Sequence, residues 1–388
     1  MRRKRVLSAT MMILGIWLLA GLCAAASDSE EEPGYMENIE ESLMEEFDFQ
    51  EIEEVLDELF PEEKLSFRET VLTFMNGDIQ EGLDMAKRLI KDQFTYAFRV
   101  NKNNLIHILL IVVVAAVFTN FSGVFQNKQI SEISFYVLYL LLIALCLRSF
   151  QASVDWVSDG IGALIDFMKV LGPVYFVAVA IAKGSVTSAA FYNLMLLVIF
   201  VAELFVLKFL VPCVHVYIMV KVLNFLSGED YLSKFAELIE MVITWTLKTM
   251  LACMAGLQFI QGLIAPAIDA VKRSVLTKGV EAIPGVGDAI GGVTEVVLGT
   301  AVLVKNSIGV AGMLICVLLC VGPVIQMAVM ALMYKLSAAL AQPVSDKRLV
   351  NCMESVGEGC RLLLRMLFTV GVLFLLTIAI AAAAAGKG

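Results

Sequence analysis

The chain has 388 residues, 59% of them hydrophobic and only 17% charged, with a formal net charge of −9. Soluble domains carry roughly a quarter charged residues, so an aqueous enzyme, a disordered chain and a disulfide-rich secreted module are all excluded. With 27 glycines, 19 methionines and 23 phenylalanines, the composition predicts an all-α polytopic membrane protein.

Arg2, Arg3, Lys4 and Arg5 precede an apolar run over 6–23 that closes on Ala24-Ala25-Ala26. A basic stretch, an apolar core and a small-residue cleavage site read as a signal peptide over residues 1–26. The other reading is an uncleaved first transmembrane helix. Leu22 stands where a lipobox needs a small residue before Cys23, so a lipid anchor is rejected. Either way, Ser27 onward lies across the membrane from the basic start.

Residues 27–64 form an acidic exported segment. From Ser27 to Glu63 there are 17 acidic residues and no basic one, which leaves 21 acidic against 29 basic elsewhere. Ile39, Leu43 and Phe47, then Ile52, Val55, Leu56, Leu59 and Phe60, recur at helical spacing and predict one or two short amphipathic helices ended by Pro61. Residues 65–104 carry a second set, with Ile79, Leu83, Ala86, Leu89, Ile90, Phe94 and Phe98 among Lys87, Arg88, Lys91 and Arg99. These predict exported or interfacial helices. They either pack together as a small cap, or the acidic helix docks a basic partner while the second lies on the membrane.

Residues 105–388 are predicted to be a multipass membrane domain. Apolar runs occupy 105–121, 133–147, 170–182, 189–207, 209–226, 239–263, 308–333 and 362–384. A crossing takes about 20 apolar residues, so seven or eight spans are expected, and eight is preferred. Eight spans put 334–361, with Lys335, Lys347, Arg348 and Arg361, in the cytoplasm. They put a loop with Arg148, Asp155, Asp159 and Asp166 outside, as the positive-inside rule favours.

Gly172-Pro173-Val174 and Gly322-Pro323-Val324 interrupt two runs 150 residues apart, and Gly162 and Gly312 match at the same offset. Proline removes a helix hydrogen bond, so Gly172, Pro173, Gly322 and Pro323 are broken-helix candidates of the kind found in transporter repeats. Chance similarity between greasy helices is the plainer account. Glu203, Lys208, His215, Lys221, Glu240 and Lys248 fall within or beside spans. Lys208 and Lys221 suit membrane edges. Glu203, Glu240 and Lys248 either line a pore or form structural pairs.

The stretch 283–305 contains Gly285, Gly287, Gly291 and Gly292 but no P-loop Lys-Ser/Thr, so nucleotide binding is rejected. Gly287 and Gly291, four apart, present a small face for helix packing. Asp288 and Glu295 suit a re-entrant or surface helix. Cys146, Cys213, Cys253, Cys316 and Cys320 sit in apolar runs as small hydrophobes. His107 and His215 are far apart in sequence, and no metal site, catalytic pair, nucleic-acid signature or cofactor site is expected.

One stretch is specific. Pro284-Gly285-Val286-Gly287-Asp288, Val297-Leu298-Gly299, Val304-Lys305-Asn306 and Gly309-Val310-Ala311-Gly312 are followed by Ala338-Ala339, Gln342-Pro343 and Asp346-Lys347-Arg348. This string resembles the stage III sporulation protein AE family of endospore-forming bacteria. The resemblance implies a non-enzymatic multipass component of the secretion-like complex between mother cell and forespore. It implies residence in the outer forespore membrane, with the acidic segment in the intermembrane space. Implied partners are the other stage III sporulation A proteins, including an ATPase and ring-forming subunits, and indirectly a forespore membrane protein. An oligomer is expected. The alternative is an autonomous secondary transporter that uses Glu203, Glu240 or Lys248.

Overall fold

The computed structural model describes residues 47–59, 66–75, 128–227, 231–281, 287–343 and 345–383, with scattered helical positions between 91 and 114. Two short helices, α1 (Gln50–Leu59) and α2 (Phe67–Met75), precede α3 (Lys128–Lys183), α4 (Ser185–Val201) and a π-helical stretch, Ala202–Leu210. Then come α5 (Val211–Ser227), α6 (Ser233–Glu281), α7 (Gly287–Ala341) and α8 (Lys347–Ala383). Among the described residues all regular structure is helical. Among the described residues five helices are long and apolar enough to cross a membrane: Tyr136–Lys183, Ser185–Phe225, Ser233–Gln261, Leu298–Ala341 and Lys347–Ala382.

Of the eight expected runs, two pairs join by helix continuity, and run 105–121 lies largely outside the described residues. The runs 133–147 and 170–182 lie on one helix, α3, of 56 residues. The runs 189–207 and 209–226 lie on α4, the π stretch and α5, whose junction residues all keep helical dihedrals. A helix without a turn crosses once, so each pair of runs counts as one crossing. Arg148, Asp155, Asp159 and Asp166 accordingly lie along α3 and not in a loop. The signal peptide and most of the run 105–121 fall outside the described residues. Asp288 and Glu295 lie in the first turns of the 55-residue α7, which is no separate re-entrant segment.

Pro173 and Pro323 break nothing. Both sit inside continuous helices, α3 and α7. A Cβ at Gly160 of α3 would lie 2.6 Å from Pro323 Cγ, and one at Gly172 would lie 2.7 Å from Met195 Sδ of α4. Glycine on the facing helix makes room for the ring and for the thioether. Proline inside a membrane helix is tolerated where such packing compensates the lost bond.

The core is an α3–α7–α8 bundle. A Cβ at Gly312 would meet Leu171, and one at Gly309 would meet Tyr175, so α3 and α7 run antiparallel with Gly160 against Pro323. The α3–α8 pair is parallel, with Cys360 Sγ 3.8 Å from Ser153 Oγ and Leu367 near Gly160. These approaches are close because glycine removes the side chain at the crossing, the usual device in lipid, where burial alone drives little helix association. α4, α5 and α6 wrap this bundle.

α1 and α2 pack on each other and against α3 and α7, while the second amphipathic set, Ile79 to Phe98, lies largely outside the described residues. Ile52, Leu56, Phe67 and Val71 are buried, and the Phe49 and Phe67 rings lie 5.5 Å apart. Ser66 caps the start of α2, where the Glu69 N–H donates to Ser66 Oγ at 3.2 Å. Glu53 of α1 joins this cap, accepting from Ser66 Oγ and from the Arg68 N–H, each at 3.0 Å. Glu51, Glu54, Asp57 and Glu58 point to solvent. Glu53→Ala is therefore expected to cost about 1–2 kcal/mol at the α1–α2 contact, and Glu54→Ala about 0.5 kcal/mol or less. Amide exchange across Phe67–Met75 reads the difference.

Candidate functional site: polar ties between the helices

Three helices meet at a mixed polar cluster. Tyr217 and Lys221 come from one face of α5, four residues apart, while Glu240 comes from α6 and Glu358 from α8. The Tyr217 ring is fully buried. Its hydroxyl lies 3.1 Å from Glu358 Oε2 and 3.3 Å from Glu240 Oε2. Lys221 Nζ donates to Glu358 Oε2 at 2.5 Å and stands 5.1 Å from the centroid of the Tyr217 ring. One ammonium and one phenol thus serve two carboxylates from different helices, which ties α5, α6 and α8 at one level.

A second level lies at the other end of α8. Lys305 of α7 is fully buried, and its ammonium donates to the Ala381 and Ala382 carbonyls at 3.4 and 3.2 Å. Those carbonyls belong to the last turn of α8, where orphan acceptors and the negative dipole end welcome a cation. At the α3–α4 turn, Asp269 of α6 caps α4. Its Oδ2 accepts the Thr187 N–H at 2.7 Å and its Oδ1 the Val186 N–H at 3.3 Å. The turn residue Gly184 has φ 122°, and a Cβ there would lie 2.7 Å from the Asp269 carboxyl carbon. Glycine is required on both counts. From Glu358 to Ala381 is about 34 Å along α8, close to the ~30 Å of bilayer hydrocarbon. Between the two levels, the buried Gln258 of α6 donates to Thr377 Oγ1 of α8 at 2.5 Å.

Of the residues singled out from sequence, Glu240 joins a tie and Glu203 joins a pair elsewhere. Glu203 Oε1 lies 3.6 Å from Lys208 Nζ on an exposed face. The two are five residues apart, the repeat of a π-helix, so the local winding itself aligns them. Within that stretch the Val211 N–H bonds the Val206 carbonyl, five residues back. Pro212, which has no N–H to continue an α ladder, follows directly and supplies a sequence reason for the wider turn. Lys248 is brought to neither carboxylate and stands exposed on α6. His215 packs edge-on against Phe150, with ring centroids 5.6 Å apart. The described cysteines are all free. Gly287 opens α7 with Gly291 one turn on, and their surroundings fall outside the described residues.

Tyr217, Asp269, Lys305 and Glu358 were not singled out as site residues. Lys305 carried a signal, as a lone charge in the apolar stretch 296–333. Asp269 carried none, since its partner lies over 80 residues away on another helix.

Long apolar helices with glycine-lined crossings and polar ties between them define a multipass helical membrane protein. The match to known proteins sharpens this. The family model for stage III sporulation protein AE matches residues 65–385, starting where the acidic segment ends. The chain belongs to that family. Stage III sporulation protein AE of Bacillus subtilis (strain 168) is 22% identical over 326 residues, covering 83% of this chain and 80% of the relative. No solved structure matches.

Proposed function

We propose that this chain is the channel or export-gate-like subunit of the secretion-like complex between mother cell and forespore, and that it acts without catalysis or a cofactor. Membership of the sporulation family supports the setting. The observation that carries the subunit reading is α6. Among the described residues little covers its apolar face, where Met241, Trp245, Leu263 and Val271 are all strongly exposed, and a lysine stands among them. A self-sufficient carrier has less reason to leave a charge on such a face than a subunit that meets neighbours there. By the same reading it resides in the outer forespore membrane and works with the other stage III sporulation A proteins, including the ATPase and the ring-forming subunits. The acidic segment faces the intermembrane space.

The autonomous-transporter alternative rested on broken helices, and Pro173 and Pro323 lie inside continuous ones. The test is purification and reconstitution with and without the partner proteins. The expected result is no ion-coupled solute uptake by the chain alone, and passage of a tracer only with the assembled complex. Coupled uptake by the isolated chain would overturn the subunit reading.

A further inference from the structure

The outer face of α3 is polar along the middle of a helix long and apolar enough to cross the membrane. Arg148, Gln151, Asp155, Asp159, Asp166 and Lys169 are all exposed. With Gly162 they recur every three or four residues, so they share one face over about 32 Å of axis. Other faces of the same turns are buried against α4, α7 and α8. Exposed positions before and after the stripe are apolar, with Val137, Leu140 and Leu141 on one side and Val177 on the other. Two contacts within the helix brace it: Gln151 donates to Asp155 Oδ1 at 2.9 Å and Lys169 to Asp166 Oδ1 at 3.4 Å.

At the depth of Asp166 the other helices look different. The register of Ser153 with Cys360 and of Gly160 with Leu367 sets Asp166 level with Leu373 of α8. Gln258 of α6 donates to the Leu373 carbonyl, and Met195 of α4 packs at Gly172, which brings Gln258 and Phe200 to the same level. The exposed side chains there are Phe200, Leu257 and Phe259, while α7 over 311–322 and α8 over 366–378 show none. At one depth, therefore, the bundle has an apolar flank on α4 and α6 and a polar flank on α3. The apolar flank suits lipid or an apolar neighbour. The α3 flank suits neither. Charges against lipid are costly, and sealing five of them in protein strips their water and demands a counter-charge for each. Water meets them without either cost.

We infer that the outer face of α3 lines water enclosed within the membrane by the assembled complex, and that the hydrated solute admitted there is preferentially a cation. Three aspartates stand against Arg148 and Lys169, and Lys169 is engaged by Asp166. The face is thus most negative at Asp155 and Asp159, where it favours cations. The inference rests on the export-gate reading for its solute, and on the polarity of α3 for its water.

The test places a nitroxide on Gly162→Cys, and in separate chains on Phe200→Cys and Phe259→Cys, in otherwise cysteine-free protein assembled with its partners in bilayers. A Cβ at Gly162 meets nothing within 4 Å, so the probe sits on the stripe with every charge kept. It lies about one turn in depth from the two apolar sites. A water-soluble nickel chelate is expected to relax the Gly162 probe severalfold more than either apolar probe, and lipid-soluble oxygen to prevail at one or both of those. Asp155→Lys with Asp159→Lys should lower cation passage relative to anion passage severalfold, and the asparagine pair should shift it the same way by less. Co-purification with the partners reports whether each variant folds. Nickel reaching all three probes would put this depth outside the bilayer and overturn the inference. Oxygen prevailing at Gly162 would also overturn it, as would a Gly162 probe that neither reagent reaches because a partner or residues 79–98 of this chain cover it. An unchanged cation preference in the lysine variant would do the same. A dry Gly162 in a complex that passes tracer sinks the α3 face alone. A wet Gly162 in a complex that passes no tracer sinks the export-gate reading and the solute with it, while the wet face stands.

Discussion

Replacing Asp269 by alanine is expected to remove about 2–4 kcal/mol of stability. The carboxylate accepts two N–H bonds from the first turn of α4, one of them at 2.7 Å. Bonds to a charged acceptor contribute about 1.5–3 kcal/mol each before compensation, and the orphaned amides of a buried helix start add their own cost. Asp269→Asn keeps an acceptor oxygen but loses the charge that complements the helix N-terminus, so roughly half the loss should remain. Gly184→Ala acts on the same contact from the other side. It places a Cβ against the carboxylate and forces φ 122° on an L-residue. The two substitutions should therefore be less than additive in combination. Thermal loss of the monodisperse protein in detergent, measured for both single changes and the double, checks this. Full additivity would mean that the carboxylate does not hold the turn.

Lys221→Met is expected to cost about 1–3 kcal/mol, because it leaves the Glu358 carboxylate without its cation at a junction of three helices. The pair is partly solvated, with side chains 21% and 35% exposed, so the loss should fall short of that for a fully buried pair. Glu358→Gln in the Lys221→Met background should recover most of it, since the stranded charge is gone and the amide still accepts from Tyr217. Tyr217→Phe alone should cost about 1 kcal/mol, because the one phenol proton that the two carboxylates share is lost while the ring packing survives. The same thermal measurement, arranged as a double-mutant cycle, isolates the coupling. If Glu358→Gln made the Lys221→Met protein worse, the ion pair would not be what holds α5 to α8.

The acidic segment is less uniform than its charge suggests. Glu53 is part of the α2 cap, while Glu54 and Glu58 are exposed. Partner binding through the acidic face is therefore best probed by neutralising Glu40, Glu41, Glu45, Glu46 and Glu54 with Glu53 left intact. Otherwise a folding defect would pass for a lost contact.

Composition and apolar run length by themselves determined that this is a helical membrane protein, because lipid leaves backbone groups no partner but their own helix. Residues 284–348 were enough to point to the family. The α1 stripe was legible too, since Ile52 and Leu56 recur at helix spacing and both are buried. What the sequence could not decide was where apolar runs join. Arg148–Asp166 reads as a polar loop in one dimension, yet the helix continues through it because other faces of the same turns pack on α7 and α8. Pro173 and Pro323 read as breaks for the same reason, yet both helices run on, and Gly160 of α3 makes room for the Pro323 ring. The tertiary structure alone decided which charges meet. Glu240, Lys221 and Glu358 come from three helices, and Asp269 reaches an amide 82 residues away. Such pairings depend on the rotation and depth of each helix, which are set by packing against its neighbours and are not encoded in any local spacing.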